Sequence, residues 1–244
     1  MTQPFSYELK HICKQSGARL GVLHTPHGDI QTPIYMPVGT AACVKAMTPR
    51  EMEEIGTQIL LSNTYHLAMR PGADLVAEAG GLHEFCAYDG PMLTDSGGFQ
   101  IFSLEDTRKL DDDGVKFTSI YDGDKIRWTP EDNMDIQQKL GADIIMQLDQ
   151  CPPYPATREF VQRAVDLSAN WARRCLAAHT REDQALFAIC QGGMHLDLRL
   201  DSIARLKQIG QESVASGHKD FAGFGIGGYS VGEDHETMFE TLGD

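Results

Sequence analysis

Two aspartates, a glutamine and a glycine follow apolar runs where they could bind a flat heterocyclic base. Asp95 is followed by Ser96-Gly97-Gly98-Phe99-Gln100, a turn of mainly small residues that would expose its carboxylate. Asp149, Gln191 and Gly228 end three further apolar runs. The pairing edge of guanine presents two adjacent donors and one carbonyl acceptor. A carboxylate fits the two donors, and a side-chain amide or a backbone N–H fits the carbonyl, so the spacing predicts a guanine-shaped slot.

Each of these residues also has a simpler explanation. Asp95 or Ser96 could be the N-cap of a helix, and Asp149 could be a turn residue before two prolines. Gln191 could simply hydrogen-bond to backbone groups at the end of a strand. Phe99 could stack on a base or belong to the core. The combination, rather than any single residue, favours base binding.

The glycines near residue 228 invite a second interpretation that we discount. Gly223-x-Gly225-x-x-Gly228 matches the dinucleotide-binding fingerprint. The glycines are predicted to lie within a strand, however, and no acidic residue follows about twenty positions later, as that motif requires. The sequence also contains no phosphate-binding loop of the G-x-x-x-x-G-K type. We interpret Gly227 and Gly228 as positions where bare backbone approaches a flat ligand.

Short apolar runs alternate with segments of helical periodicity. The runs cover residues 34–40, 58–65, 91–98, 142–150, 186–193 and 223–230. Helices are predicted to start at Thr48-Pro49 and at Thr129-Pro130, where a cap residue precedes proline. A third should run from about Thr157 to His179, with its apolar residues on one face. Lys116–Trp128 alternates around Asp122-Gly123, which predicts a β-hairpin inserted in the third β-to-α connection.

This alternation predicts an α/β fold, either an open doubly wound sheet or most of a barrel. Polar residues end five different strands, including Asn63 and His66 at the second. That distribution favours a TIM-type (β/α)8 barrel, because an open sheet gathers its site at one switch point. About six β/α units are present. The last predicted helix, Glu233–Leu242, would lead to a seventh strand, so we expect residues 1–244 to be a single catalytic domain whose barrel is incomplete.

Composition limits the function classes. The 244 residues are 41% hydrophobic and 23% charged, and they contain neither a signal-peptide pattern nor a membrane-spanning run, which predicts a cytoplasmic protein without a membrane partner. A net charge of −14 opposes binding to a phosphate backbone, so either nucleic acid is not the partner or the basic surface lies elsewhere.

The cysteine pattern predicts no metal site. The six cysteines are scattered and contain no C-x-x-C pair, which suits reduced thiols better than disulfides or zinc. His11 with Cys13 and Cys175 with His179 are near-pairs, but zinc needs three or four ligands. We therefore expect no cofactor or metal in this chain.

Four blocks of sequence carry a family resemblance. They are Met36-Pro37-Val38-Gly39-Thr40, Asn63-Thr64-Tyr65-His66-Leu67 with Arg70-Pro71-Gly72, Leu93-Thr94-Asp95-Ser96-Gly97-Gly98-Phe99-Gln100, and Gly227-Gly228-x-x-Val231-Gly232-Glu233. In order and spacing they closely resemble bacterial tRNA-guanine transglycosylase, from about Phe5 to the last residue. The resemblance implies an enzyme of queuosine biosynthesis, which exchanges guanine at the wobble position of tRNA for 7-aminomethyl-7-deazaguanine.

The resemblance also assigns roles to residues of this sequence. Asp95 becomes the general acid/base, with Asn63 as its partner. Asp149 binds the two donors of the base, while Gln191 and Gly228 face its carbonyl. The remaining candidate pocket residues are Ser96, Gly97, Gly98, Phe99 as the stacking ring, Cys151, Gly227, Tyr229, Val231 and Glu233. Cys151 and Val231 favour the aminomethyl base over queuine, although Tyr229 replaces the usual leucine.

The implied reaction is a double displacement with a covalent enzyme–RNA intermediate. No residue here matches the family's nucleophilic aspartate or its zinc ligands, three cysteines and a histidine. We therefore expect the C-terminal units and the zinc subdomain to be missing and this chain by itself to be inactive. The resemblance implies a homodimer for the full-length enzyme.

Two alternatives remain open. The chain could be a non-catalytic subunit that positions RNA in a heterodimeric transglycosylase, although the complete Asp95–Phe99 block and Asp149 oppose this. It could instead be a glycoside hydrolase that uses Asp95 and Asp149 as its carboxylate pair. Binding of a deazaguanine would distinguish the hydrolase from a guanine-binding protein, because a hydrolase should not bind it.

Overall fold

The computed structural model describes residues 4–104 and 109–243. The strands are β1 (Ser6–Ile12), β2 (Arg19–Thr25), β3 (Gly28–Thr32), β4 (Leu60–Ser62), β5 (Met92–Thr94), β6 (Lys109–Asp111), β7 (Gly114–Thr118), β8 (Lys125–Trp128), β9 (Ile144–Met146), β10 (Ala185–Cys190) and β11 (Gly223–Ile226). The helices are α1 (Pro49–Glu54), α2 (Thr64–Met69), α3 (Ala73–Glu78), α4 (Leu82–Cys86), α5 (Gly98–Leu104), α6 (Pro130–Leu140), α7 (Arg158–Ala178), α8 (Leu196–Ala215) and α9 (His235–Gly243).

Five short strands form the central sheet in the order β11-β10-β9-β5-β4. The pairs β4–β5, β5–β9 and β10–β11 are parallel, which confirms the predicted α/β class with a parallel sheet. Neighbours in this sheet follow one another along the chain, as they do in a barrel. Among the described residues β4 and β11 are its outer strands, and closure into an eight-stranded barrel stays a prediction.

The first predicted strand, residues 34–40, is reduced to an isolated parallel bridge between Val38 and Leu61. Two backbone hydrogen bonds accompany it, from Leu61 N to Pro37 O at 3.0 Å and from Gly39 N to Leu61 O at 2.7 Å. Pro33 and Pro37 lack backbone N–H groups, so a longer ladder cannot form here.

Two antiparallel sheets of three strands accompany the central one. Strands β7 and β8 form the predicted hairpin, which β6 extends to a third strand. The other sheet, β1-β2-β3, has a bulge between Leu9 and His11. It was not predicted, because its strands are mostly exposed and lack a regular apolar face.

The helices begin where the cap residues predict. Thr48 and Glu51 form the reciprocal capping box at α1. At α6 the corresponding pair is Thr129 and Asp132, whose side chain accepts from the Thr129 N–H at 2.9 Å. Thr157 caps α7, which presents Val161, Ala164, Trp171 and Leu176 to the core. These bonds satisfy amide groups that would otherwise lack partners at the first turn.

The chain divides into two compact units. One contains residues up to 95 together with 136–145 and 181–185, and the other contains 96–135, 146–180 and 186 onward. Each has its own buried side chains, such as Tyr65 and Met92 in the first and Ile101 and Trp171 in the second. The single catalytic domain predicted for 1–244 stays a prediction. None of the described helices is long and apolar enough to cross a membrane.

Candidate active site

Asp95 lies directly after β5 in the first unit and is half-buried. Its Oδ2 accepts a hydrogen bond from Asn63 Nδ2 at 2.6 Å, and its Oδ1 accepts from the Thr64 N–H at 3.1 Å. The Asn63 side chain also caps α2, where Oδ1 accepts from the His66 N–H at 3.0 Å. These contacts hold the Asp95 carboxylate in place at the end of β5.

Asp149 is the centre of a hydrogen-bonded group in the second unit. It is 5% exposed, and its Oδ1 accepts from Ser96 Oγ at 3.0 Å while its Oδ2 accepts from Gln191 Nε2 at 2.6 Å. Burial raises the pKa of the Asp149 carboxyl, and the bonds from Gln191 and Ser96 oppose that rise only in part. A buried carboxylate that contacts neutral donors is costly, which is typical of a binding site rather than a structural one.

Gln191 and the glycines after β11 lie against each other. A Cβ atom at Gly227 would be 2.6 Å from Gln191 Nε2, and one at Gly228 would be 2.6 Å from Gln191 Oε1. A side chain at either position would therefore displace the buried Gln191 amide, and Gly228 also has a positive φ of 73°, which favours glycine. Both glycines follow β11, which ends at Ile226, rather than lying within the strand as predicted. Gln191 Oε1 is buried and has no hydrogen-bond partner in the described part of the chain.

The turn after Asp95 has the small residues it needs. The Gly98 N–H donates to Ser96 Oγ at 3.1 Å. A Cβ at Gly98 would lie 2.9 Å from the Asp149 carbonyl oxygen, so any larger residue would displace Asp149. Gly97 has a positive φ of 72°. Phe99 is 50% exposed at the start of α5, so its ring is available for stacking and is not part of the core.

The remaining candidates lie near this second-unit group or in the loop after β11. Burial raises the pKa of the Cys151 thiol to about 12, and the charge of Asp149 acts in the same direction. Tyr229 stacks on a guanidinium, with its ring centroid 3.7 Å from Arg199 Cζ. The Glu233 carboxylate accepts from the Val231 N–H at 2.9 Å and from the Ser230 N–H. These contacts order the loop that begins at Gly227.

Sequence reasoning missed Arg199, which is 6% exposed in the first turn of α8. An arginine at such a position is usually exposed, so no pattern in the sequence singled it out. It also missed a cluster in the first unit, where Asp143 accepts from His27 Nδ1 at 2.7 Å and from His83 Nε2 at 3.2 Å. These partners are 116 and 60 residues away in sequence, so no local spacing could have indicated them.

Among the described residues, His27, His83 and Asp143 are the one group of three such ligands close enough to share a metal ion. The two imidazole rings are stacked, with centroids 3.6 Å apart and planes 13° apart. A metal ion lies close to the plane of an imidazole that binds it, so two near-parallel stacked rings cannot both point a lone pair at one ion. We interpret the cluster as a hydrogen-bonded network around a buried carboxylate.

Comparisons with known proteins agree with the motifs. The family model described as queuine tRNA-ribosyltransferase matches residues 13–244. Curated proteins of that name are 54% identical in Halalkalibacterium halodurans, over 97% of this chain, and 53% identical in Lysinibacillus sphaericus, over 99%. A third, from Ruminiclostridium cellulolyticum, is 53% identical over 97% of the chain. The chain spans 60% to 61% of the length of these curated relatives.

Proposed function

Because the chain belongs to the queuine tRNA-ribosyltransferase family, we propose that it carries the base-recognition and proton-transfer groups of a tRNA-guanine transglycosylase. Such an enzyme exchanges guanine at the wobble position of tRNA for 7-aminomethyl-7-deazaguanine in queuosine biosynthesis. We further propose that its parallel sheet belongs to a TIM-type barrel, whose site lies at the carboxyl ends of the strands.

The group formed by Ser96, Asp149 and Gln191 is the observation that carries this proposal. When guanine binds, the two oxygens of Asp149 accept N1–H and the exocyclic amine. Gln191 then releases Asp149, and its Nε2 donates to the base carbonyl next to Gly228. The exchange keeps both Asp149 oxygens hydrogen-bonded, and it gives Gln191 Nε2 a carbonyl acceptor on the base while the two adjacent donors of the base match the two carboxylate oxygens.

We propose that Asp95 is the general acid/base that transfers the proton at N9 of the base. In the exchange, the bond between C1′ and N9 of guanine breaks as a carboxylate oxygen bonds to C1′, and Asp95 gives a proton to N9 of the leaving guanine. The incoming base then gives its N9 proton to Asp95 and attacks C1′, which releases the carboxylate. Asn63 and the Thr64 N–H hold Asp95 in place. No residue of this chain matches the attacking aspartate of the family, so we assign that role to none.

The proposed function also implies substrates, an oligomeric state and a metal. We propose that the substrates are a tRNA with a wobble guanine and a free deazaguanine, that the full-length enzyme is a homodimer, and that it acts in the cytoplasm. Zinc does not fit the present residues, because none of the cysteines of the described residues enters a group of three ligands.

Binding of the free base tests the proposal without requiring turnover. Isothermal titration of the 244-residue chain with guanine and with 7-aminomethyl-7-deazaguanine should show binding, and adenine should not bind. Asp149→Asn should weaken guanine binding by about a hundredfold, because an amide offers a donor where the base also offers a donor (roughly 3 kcal/mol).

The matched control is Asp113→Asn, which changes an exposed aspartate of the β6–β7 turn in the same unit and should leave binding unchanged. Equal binding of adenine and guanine, or unchanged affinity in Asp149→Asn, would contradict the proposal. A chain that binds neither base would favour the glycoside hydrolase alternative.

A further inference from the structure

Arg199 is buried beside the loop that carries Gly228. Its Nε donates to the Gly193 carbonyl at 2.8 Å, and its Nη1 donates to the Gly227 carbonyl at 2.9 Å. The guanidinium therefore joins the loop after β10, which follows Gln191, to the loop after β11. A Cβ at Gly192 would lie 2.5 Å from Arg199 Cγ, so this close approach also depends on glycine.

Within residues 4–104 and 109–243, no carboxylate neutralises this guanidinium. Arg199 makes no ion pair with any acidic side chain of the described residues, and its buried Nη2 has no hydrogen-bond partner there. Burial lowers its pKa. A buried charge of this kind costs free energy, so a purely structural role would be better served by an apolar side chain of the same volume.

The bond to the Gly227 carbonyl matters because of peptide geometry. The Gly227 C=O and the Gly228 N–H belong to one planar peptide unit, in which the two groups point in opposite directions. A glycine on each side leaves that unit free to rotate. Fixing the carbonyl oxygen therefore fixes the direction of the N–H. A hydrogen bond to the carbonyl also polarises the peptide and strengthens its N–H as a donor.

We propose that Arg199 is a positioning residue for base recognition: its guanidinium holds the Gly227–Gly228 peptide so that the Gly228 N–H faces the carbonyl of the bound base. This inference rests on the proposed function. Tyr229 supports this arrangement, because its ring stacks on the Arg199 guanidinium and fixes the plane of that group, in which the two hydrogen bonds lie. Arg199 makes no contact with the base itself.

Affinities for guanine and 6-thioguanine test the inference. Both bases offer Asp149 the same two donors, but the sulfur of thioguanine is a much weaker acceptor than the carbonyl oxygen. In Arg199→Lys one ammonium cannot reproduce the planar fork. Guanine affinity should therefore fall about tenfold, the worth of one well-made hydrogen bond, while thioguanine affinity changes much less. The preference for guanine over thioguanine should collapse.

Arg163→Lys is the matched control, since Arg163 also lies over an aromatic ring, that of Phe160, but is exposed. It should keep both affinities. If Arg199→Lys does not fold, Tyr229→Leu retains Arg199 while removing its stacking partner, and should reduce the preference in the same direction by a smaller factor.

Three outcomes would overturn the inference. If the affinities for guanine and thioguanine fall equally, Arg199 has only a structural role. If the preference for guanine over thioguanine is unchanged in the folded variants, Arg199 does not position the Gly228 N–H. If the unmodified chain binds no guanine, the proposed function fails and this inference fails with it. A failure confined to the variants leaves the proposed function intact.

Discussion

Asp149 shows, at the scale of single residues, a conflict between binding and stability. Its carboxylate is buried and contacts only the neutral groups of Ser96 and Gln191. Burial raises the pKa of this carboxyl, because neither of these neighbours carries a positive charge that would stabilise the ionised form. An uncharged residue of the same shape would therefore stabilise the folded chain, which supports the proposed role of Asp149 in binding a ligand.

We therefore expect Asp149→Asn to increase the free energy of unfolding while it weakens guanine binding. The asparagine can accept from Ser96 and donate to Gln191 Oε1, which now lacks a partner. Because the native pKa of Asp149 lies above its ordinary value, wild-type stability falls as the pH rises through that native pKa. The gain from the substitution should therefore be small near pH 4 and reach about 1–3 kcal/mol at pH 8.

Urea unfolding of both proteins at pH 4, 6 and 8 measures this difference. A variant that is less stable than wild type at pH 8 would show that Asp149 is structural, and it would remove the argument from burial.

Asp143 is a buried carboxylate whose hydrogen bonds outweigh the cost of burial, and it connects several secondary-structure elements. It precedes β9 and joins the β2–β3 turn through His27, α4 through His83, and β5 through the Met92 N–H at 2.8 Å. Burial alone would raise the pKa of Asp143, but the hydrogen bonds from His83, His27 and Met92 together lower it. Here the fold does satisfy the charge, so the carboxylate stabilises the packing of these elements.

Asp143→Asn should destabilise the chain by about 3 kcal/mol at pH 7, because an NH2 group replaces one of the two carboxylate oxygens that accept from His27, His83 and the Met92 N–H. A lowered native pKa means that wild-type stability is fully present above the ordinary aspartate pKa and is lost as the pH falls through the native value. The difference between the two proteins in urea unfolding should therefore shrink in acid.

Asp183→Asn serves as the comparison, because Asp183 pairs with Arg181 at the surface and such pairs contribute less than about 1 kcal/mol. Equal losses from the two substitutions would mean that the network around Asp143 adds nothing beyond an ordinary surface ion pair.

Charge is the property that matters at the scale of the whole molecule. The chain carries a net charge of −14 and an isoelectric point near 5.0, whereas its proposed partner is a polyanion. Base recognition by Asp149 needs no basic surface, but binding of the tRNA backbone does. The two activities should therefore separate in this chain.

We expect the 244-residue chain to bind guanine but to bind tRNA no more tightly than about 10 μM at roughly 150 mM salt, within the range of non-specific association. Fluorescence anisotropy of a labelled tRNA across a salt series measures this. A dissociation constant below about 1 μM that weakens steeply with salt would reveal a basic surface that the overall charge conceals.

Local patterns determined much of what the sequence could predict. Thr48 and Thr157 mark helix starts because a cap acts within three residues. The Lys116–Trp128 hairpin is visible because its alternation and its turn are local. The Leu93–Gln100 block supports the family assignment because its chemistry lies in consecutive residues. The exposed strands β1–β3, by contrast, lack a regular buried face that a pattern could reveal.

Only the tertiary structure decided which side chains share a hydrogen bond. The hydrogen bonds of Asp149 join it to Ser96, 53 residues earlier, and to Gln191, 42 residues later. The hydrogen bond from Arg199 to the Gly227 carbonyl joins residues that are 28 positions apart. The sequence supplied the donors and acceptors, but their pairing depends on which strands lie side by side. Whether hydrogen bonds outweigh burial, as at Asp143, or burial outweighs them, as at Asp149, follows from the neighbours that the fold brings to each carboxylate.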